Sequence, residues 1–317
     1  MVDVSPEPTP GISRDGAARL GSMVSAYRIE RTLGSGGMGW VYRARHVIEN
    51  RVAALKVLRH DQLACERARD RMMREAAILA TVCHAGIPEL YECGLLRDGR
   101  PWIAMELVDG TPLAARMLEG PFAASQVVDL VAAIADVLAT AHDRGITHRD
   151  LKPENVLLVP DDPRFPVRVI DWGIALHRTG ARYTSHDEAI GTPTYMAPEQ
   201  ARGGPTEGFS DVYGLGVLAY QMLVGRPPFV GGNSVEILVQ HLRKPVPPLA
   251  PRCPDAPAGL VALVERMLAK NSEDRPTARG VRAALGDLRG VGAAYAVYAV
   301  DGAAEGTGPI SLVRYDD

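Results

Sequence analysis

The hydrophobic pattern of this chain changes once, close to residue 110, and this change constrains the fold more than any other feature. Between residues 27 and 107, short stretches either alternate apolar with polar side chains or are continuously apolar, which is typical of β-strands. Beyond residue 110, apolar side chains recur at helical spacing. Strands followed by helices, without an internal repeat, predict an α+β fold.

The same pattern predicts the individual elements. We expect strands at 27–33, 41–45, 52–58, 90–95, 101–107, 156–159 and 167–170. One early helix is expected at 67–82, with Met72, Ala76, Leu79 and Ala80 on its buried face. Later helices are expected at 124–143, 211–224, 260–268 and 278–288. The helix at 211–224 is apolar on nearly all sides, so we expect it to be buried and to end at Gly225.

The termini and the composition exclude several classes of protein. Proline-rich residues 1–26 predict a disordered leader, and Gly- and Ala-rich residues 289–317 predict a C-terminal tail. The net charge of −3 argues against a nucleic-acid-binding protein, which needs a basic surface. No signal peptide and no apolar run of ~20 residues is visible, so we expect no membrane span and a cytoplasmic location. We expect small, buried, reduced thiols at Cys65, Cys83, Cys93 and Cys253.

A glycine cluster, Gly34-Ser35-Gly36-Gly37-Met38-Gly39, lies between the first two predicted strands. Taken alone, a G-x-G-x-x-G motif does not distinguish an ordinary glycine-rich turn from a phosphate-binding loop. A dinucleotide-binding loop would open a helix. Because strands are expected on both sides, this loop is predicted to form the tip of a β-hairpin. Since glycine has no side chain, the backbone N–H groups of such a loop can approach phosphate oxygens closely.

Lys56 ends the apolar run Ala53-Ala54-Leu55 in the third predicted strand. A lysine on a strand edge would face solvent, but a buried ammonium needs a partner. Glu75 on the following helix is the candidate. We expect Lys56 to bridge this carboxylate and the α- and β-phosphates of ATP.

Three reactive groups occur at fixed spacing in His148-Arg149-Asp150-Leu151-Lys152-Pro153-Glu154-Asn155. An isolated loop aspartate is usually a turn or cap residue. Here Asp150 is suited to accept the proton of an attacking hydroxyl, and Lys152 to neutralise a transferring phosphoryl group. The Asn155 amide oxygen is suited to bind Mg²⁺, which prefers oxygen ligands together with substrate phosphates.

Two further motifs follow the last predicted strand. Asp171 begins Asp171-Trp172-Gly173, 21 residues after Asp150, and is expected to be the second metal ligand. The run Gly191-Thr192-Pro193-Thr194-Tyr195-Met196-Ala197-Pro198-Glu199 is turn-rich. Together with the polar segment before it, this run predicts a platform for a peptide.

These five blocks stand in the order of the protein-kinase signature. From about Tyr27 to Leu288 the chain resembles a eukaryotic-like, bacterial Hanks-type serine/threonine protein kinase. The resemblance implies a two-lobed kinase fold at 27–288, with ATP between a small β-rich N-lobe (about 27–108) and a larger helical C-lobe (about 109–288). It implies transfer of the γ-phosphate of Mg-ATP to protein serine or threonine hydroxyls, with Mn²⁺ as an alternative metal.

The resemblance also assigns residues to the nucleotide site and to structural roles. The catalytic set is Asp150, Lys152, Lys56 and Glu75, and the metal ligands are Asn155 and Asp171. Met105 is the gatekeeper of an adenine-binding hinge at Met105-Glu106-Leu107-Val108. The expected ATP-binding set is Leu33, Gly34, Ser35, Gly36, Gly37, Met38, Gly39, Val41, Ala54, Lys56, Met105, Glu106, Val108 and Leu157. Asp211 begins the buried helix of the large lobe, and Arg275 is expected to pair with Glu199.

In relatives, the arginine before the catalytic aspartate, here Arg149, receives a phosphorylated residue of the activation segment. Thr184 and Ser185 are the candidates for autophosphorylation, which would use a transient homodimer, and Thr192 lies in the same segment. Two alternatives remain: these hydroxyls are simply solvated, or the Glu188 carboxylate pairs with Arg149 without any phosphate.

The sequence departs from the family pattern at Trp172, where phenylalanine is usual. Two other functions remain open. A pseudokinase would bind nucleotide without catalysis, but it usually lacks the lysine, the aspartate or a metal ligand, and none is lost here. A small-molecule kinase would share the fold, but the intact platform at 191–199 favours protein substrates.

Overall fold

The computed structural model describes residues 20–36, 39–172 and 193–289, and all structural statements concern this part of the chain. These residues form two compact units. The first contains residues 20–83 and Ile87–Gly110, and the second contains His84–Gly86 and residues 111–289. The first is rich in strands and the second in helices, as the α+β prediction requires.

The first unit is built on one antiparallel sheet with a single long helix. Its strands are β1 (Met23–Val24), β2 (Tyr27–Ser35), β3 (Gly39–His46), β4 (Val52–Leu58), β5 (Leu90–Leu95) and β6 (Pro101–Glu106), in the spatial order β1-β2-β3-β4-β6-β5. Helix α1 (Glu66–Thr81) and a short 3₁₀ turn (His60–Gln62) connect β4 to β5. The strands predicted at 52–58 and 90–95 have the predicted bounds.

One face of this sheet carries the core of the first unit. It buries alternate residues of β4, Ala53, Leu55 and Val57, against side chains that include Tyr42 and Trp102. The intervening residues Ala54 and Lys56 therefore point to the opposite face, because successive side chains of a strand alternate.

The second unit combines a small sheet with seven helices in its described part. The strands are β7 (Thr111–Pro112), β8 (Val156–Leu158) and β9 (Val167–Val169), in that spatial order. The helices are α2 (Leu113–Met117), α3 (Ala124–His142), α4 (Pro198–Ala201), α5 (Gly208–Val224), α6 (Ser234–Arg243), α7 (Ala258–Met267) and α8 (Ala278–Arg289). Short 3₁₀ turns occur at Pro153–Asn155, Pro193–Tyr195 and Ser272–Asp274.

Helices α3 and α5 form the centre of the second unit. Helix α3 buries an apolar stripe at helical spacing, which consists of Val127, Leu130, Val131, Ile134, Leu138 and Ala141. By length and composition α3 could cross a membrane, but 72% of its apolar stretch is buried within the protein, as in the core helix of a globular unit. Helix α5 is buried along most of its length and ends at Gly225 in the left-handed conformation (φ 80°), as predicted.

The structure corrects three expectations from the sequence. Strand β1 lies inside the predicted disordered leader, because Val24 pairs with Tyr27 and is fully buried. On α1, Ala80 is exposed and Ile78 is buried, since the buried face is rotated to include Glu75. The prediction of buried thiols is wrong: Cys65 and Cys83 flank α1 and are exposed, as is Cys93 on the edge strand β5, while Cys253 is half-buried.

Candidate active site

The glycine cluster joins β2 to β3 as a β-hairpin, as predicted. It does not open a helix, as a dinucleotide-binding loop would. Gly34 pairs with Val41 and Ser35 with Trp40, and Gly36 and Gly39 exchange backbone hydrogen bonds of 2.9 and 3.2 Å. A Cβ atom on Gly39 would lie 2.6 Å from the Val57 carbonyl oxygen, so only glycine fits there. Gly37 and Met38, at the tip of the hairpin, lie outside the described residues.

Lys56 and Glu75 form a buried ion pair. Lys56 Nζ lies 2.9 Å from Glu75 Oε2 and 3.1 Å from Oε1, and the side chains are only 8% and 4% exposed. The structure therefore brings together the two residues expected to act as a unit, and α1 positions the carboxylate. The two hydrogen bonds hold the ammonium in a fixed position and direction.

The residues expected around ATP in the first unit follow from the register of the sheet. Val41 lies opposite Lys56, and Ala54 lies opposite Met105. Residues directly opposite in antiparallel strands share a face, so these four side chains lie on the face of the sheet opposite to its core. Leu33 is on β2, Glu106 ends β6, and Val108 is buried just beyond it. Leu157 is buried on β8 of the second unit.

Asp211, at the start of α5, organises the loop that carries Asp150. Its carboxylate accepts hydrogen bonds of 2.8 Å from the backbone N–H groups of His148 and Arg149, and it lies 2.8 Å from His142 Nε2. Arg149 adopts a positive φ of 67°, which is unfavourable for a residue with a side chain. The bonds to the buried Asp211 hold this conformation.

Asp150 lies between two polar side chains of its own loop. Lys152 Nζ is 3.3 Å from Asp150 Oδ2, and the Asn155 Nδ2 amide donates to the Asp150 carbonyl oxygen at 2.8 Å. This bond orients the buried Asn155 amide and leaves its Oδ1 atom without a hydrogen-bond partner among the described residues. A buried, unpaired amide oxygen is costly unless something binds it, and it suits a hard cation.

Asp171 lies two residues after the end of β9, and its neighbour Ile170 is bonded to Asn155. The Ile170 N–H donates to the Asn155 carbonyl oxygen at 2.9 Å, and Asp171 itself has a positive φ of 51°. The described residues contain no cluster of three His, Cys, Asp or Glu side chains able to hold a metal on their own. Two protein oxygens are nevertheless sufficient for Mg²⁺, which takes its remaining ligands from phosphates and water. The donor set therefore fits this ion.

Glu199, the last residue of the peptide platform, forms a second ion pair with Arg275. Arg275 Nη1 and Nη2 donate to the two Glu199 carboxylate oxygens at 2.7 and 2.9 Å, and Ser210 Oγ donates at 2.6 Å. Burial would raise the pKa of Glu199, but the bonds from Arg275 and Ser210 outweigh it and hold the pKa below the usual glutamate value. The pair ties α4 to the segment before α8.

Glu199→Gln is expected to lower the stability of the protein in a pH-dependent way. Because the folded pKa is lowered, the charged pair stabilises the fold above the unfolded pKa of about 4.3, and this contribution disappears as pH falls through the folded pKa. Breaking the pair should cost roughly 3 kcal/mol at pH 7. Thermal unfolding from pH 3 to 8, with the exposed Glu273→Gln as the control, measures the difference. A difference that does not change with pH would contradict the assignment.

Two site residues were missed by sequence reasoning. His142 supplies a third contact to Asp211, and its only sequence signal is its place shortly before His148. Gln200 donates from Nε2 to the Arg149 carbonyl oxygen at 2.9 Å and accepts at Oε1 from the Ala197 N–H at 2.9 Å. It thereby links the platform to the catalytic loop. Thr184, Ser185, Glu188 and Thr192 lie outside the described residues, as does Gly173.

Comparison with known proteins places this geometry in a family. Residues 27–284 match the protein kinase domain family. The serine/threonine-protein kinase pkn3 of Myxococcus xanthus is 40% identical over 260 residues, which cover 79% of this chain and 47% of the relative. PknB of Mycolicibacterium smegmatis is 39% identical over 267 residues, which cover 82% and 42%. The chain thus spans about half the length of these curated relatives.

A solved structure agrees with the sequence relatives. The crystal structure of the Mycobacterium tuberculosis PknI kinase domain superposes with a TM-score of 0.67 at 30% sequence identity. The similarity covers 86% of this chain and 99% of that domain.

Proposed function

This chain belongs to the protein kinase family, within the bacterial serine/threonine kinases, and we propose that it transfers the γ-phosphoryl group of ATP to serine or threonine hydroxyls of proteins. The observation that carries the proposal is the arrangement around Asp150. Its carboxylate lies beside the Lys152 ammonium, and Asn155 is fixed with an amide oxygen that accepts no hydrogen bond from the described residues.

In the proposed reaction the substrate hydroxyl oxygen forms a bond to the γ-phosphorus while the bond from that phosphorus to the β–γ bridging oxygen breaks. ADP leaves, and Asp150 accepts the hydroxyl proton. Lys152 neutralises part of the charge on the transferring group. Electrostatic stabilisation of this kind, together with positioning, is the main source of catalysis in phosphoryl transfer.

Lys56 is assigned to the α- and β-phosphates. Two hydrogen bonds to the buried Glu75 carboxylate hold its ammonium in place, so the lysine needs no reorganisation when nucleotide binds. The hairpin at Gly34–Gly39 supplies backbone N–H groups to the same phosphates.

Asn155 and Asp171 would hold a divalent metal, which we assign as Mg²⁺, with Mn²⁺ as an alternative. When bound, this metal would neutralise part of the negative charge of the phosphates. The unpaired Asn155 Oδ1 supports the assignment. Because its substrate is ATP, we place the kinase in the cytoplasm. The net charge of −3 argues against nucleic acid as a partner.

Incubation of the purified protein with Mg-ATP and a generic basic protein substrate is expected to yield phosphoserine and phosphothreonine but no phosphotyrosine. Mass spectrometry of both proteins, with an EDTA-treated sample as the control, makes the measurement. A protein that binds nucleotide but never transfers phosphate would be a pseudokinase. Transfer to small molecules only would indicate the other alternative.

We further propose autophosphorylation at Thr184 or Ser185, through a transient homodimer, with Arg149 as the receiver of the phosphate. A phosphate adds roughly −1.5 to −2 charge and pairs well with arginine. Without phosphorylation, the Glu188 carboxylate would pair with Arg149 and order the activation segment more weakly. The same mass spectra decide: phosphate on 174–190 supports autophosphorylation, and an active enzyme without it favours Glu188.

A further inference from the structure

Trp172 makes a hydrogen bond that a phenylalanine could not make. Its side chain is 1% exposed, and its indole Nε1–H donates to the Val169 carbonyl oxygen at 3.1 Å. Val169 lies on β9, at the edge of the small sheet. The Val169 N–H donates to the Gly86 carbonyl oxygen at 2.8 Å and not to β8, so the Val169 carbonyl also points away from β8. The indole therefore satisfies a buried carbonyl that the sheet leaves open.

The Trp172 ring also contacts the catalytic loop. Its centroid lies 4.8 Å from the His148 imidazole, with an interplanar angle of 55°. His148 Nδ1 accepts from the Asp150 N–H at 3.3 Å, which places the imidazole proton on Nε2, and Nε2 donates to the Ile170 carbonyl oxygen at 3.1 Å. Trp172 and His148 thus bond to Val169 and Ile170, the two residues that precede Asp171, and Trp172 itself directly follows it.

Asp171 needs this support because of its backbone. A positive φ of 51° is unfavourable for a residue with a side chain and persists only where its surroundings enforce it. The bond from Trp172 to Val169 closes a turn with Asp171 inside it, while Ile170 is held through both its N–H and its carbonyl.

We propose that Trp172 is a positioning residue whose indole N–H holds Asp171 in the conformation that binds the divalent metal. The inference rests on the proposed function, in which Asp171 is a metal ligand. A preformed site binds the metal more tightly, because no binding free energy is lost in ordering Asp171. Loss of one neutral hydrogen bond should then weaken metal binding about fivefold.

The test uses two variants that remove the N–H group in different ways. Trp172→Phe removes the donor and part of the ring. Replacement of Trp172 by β-(3-benzothienyl)alanine, introduced by codon suppression, keeps the two-ring size and removes only the donor. Trp102→Phe makes the same change at a buried tryptophan of the first unit and serves as the control. The apparent magnesium constant comes from ADP affinity measured over a series of free Mg²⁺ concentrations.

Both Trp172 variants are expected to need about fivefold more Mg²⁺ for half-maximal ADP binding, and Trp102→Phe should need no more than wild type. Adenosine binding in the absence of metal should be the same in wild type and in all three variants. A general loss of structure would lower it. If the benzothienyl variant matches wild type, the N–H group has no positioning role, and this result decides even if Trp172→Phe does not fold. Absence of any Mg²⁺-dependent ADP binding in wild type would instead overturn the proposed function.

Discussion

Asp150→Asn is expected to lower kcat for peptide phosphorylation by ~10²–10⁴-fold while nucleotide affinity stays within about threefold of wild type. The asparagine has nearly the same shape, so the bond from Asn155 to the residue 150 carbonyl is kept. What is lost is the carboxylate that accepts the hydroxyl proton. Single-turnover phosphorylation and ADP binding, measured on the same preparation, separate these effects.

Asp161→Asn is the matched control, since Asp161 is an exposed aspartate outside the proposed machinery. This control should retain wild-type activity. If Asp150→Asn turns over within about threefold of wild type, Asp150 is not the general base.

Lys56→Met is expected to lower kcat/KM roughly 10²-fold or more, because it removes the cation assigned to the phosphates. From the sequence alone we expected little effect on folding. The structure changes that expectation, because the substitution removes the ammonium that pairs with the buried Glu75 carboxylate. Loss of one partner of a buried ion pair costs on the order of 3–5 kcal/mol. Thermal unfolding and steady-state kinetics together measure both effects.

The double variant Lys56→Met/Glu75→Gln separates stability from catalysis. It removes both charges, so it should regain much of the stability that the single variant loses. Its activity should remain as low as that of Lys56→Met. A double variant that recovers activity together with stability would mean that Lys56 acts only through the fold.

The strands and helices were predictable because their signals are local. The mainly apolar run Val52–Leu58 and the apolar stripe of α3 depend on neighbours within a few residues, and both elements formed where expected. Errors occurred where burial is decided by distant segments. Strand β1 has little hydrophobic pattern of its own and exists because it pairs with Tyr27 and the residues that follow. The exposure of Cys65 and Cys83 depends on where α1 packs, which composition does not reveal.

The sequence by itself determined which chemical groups this protein brings to its site: a lysine in an apolar strand, an aspartate, lysine and asparagine in one loop, and an aspartate after a strand. Only the tertiary structure decided how these groups are held. Asp211 accepts from the His148 N–H across 63 residues, and Arg275 binds Glu199 across 76. The Trp172 hydrogen bond depends on the open edge of β9. Such contacts arise when the whole chain packs and buried polar groups must find partners, and no local pattern of residues specifies them.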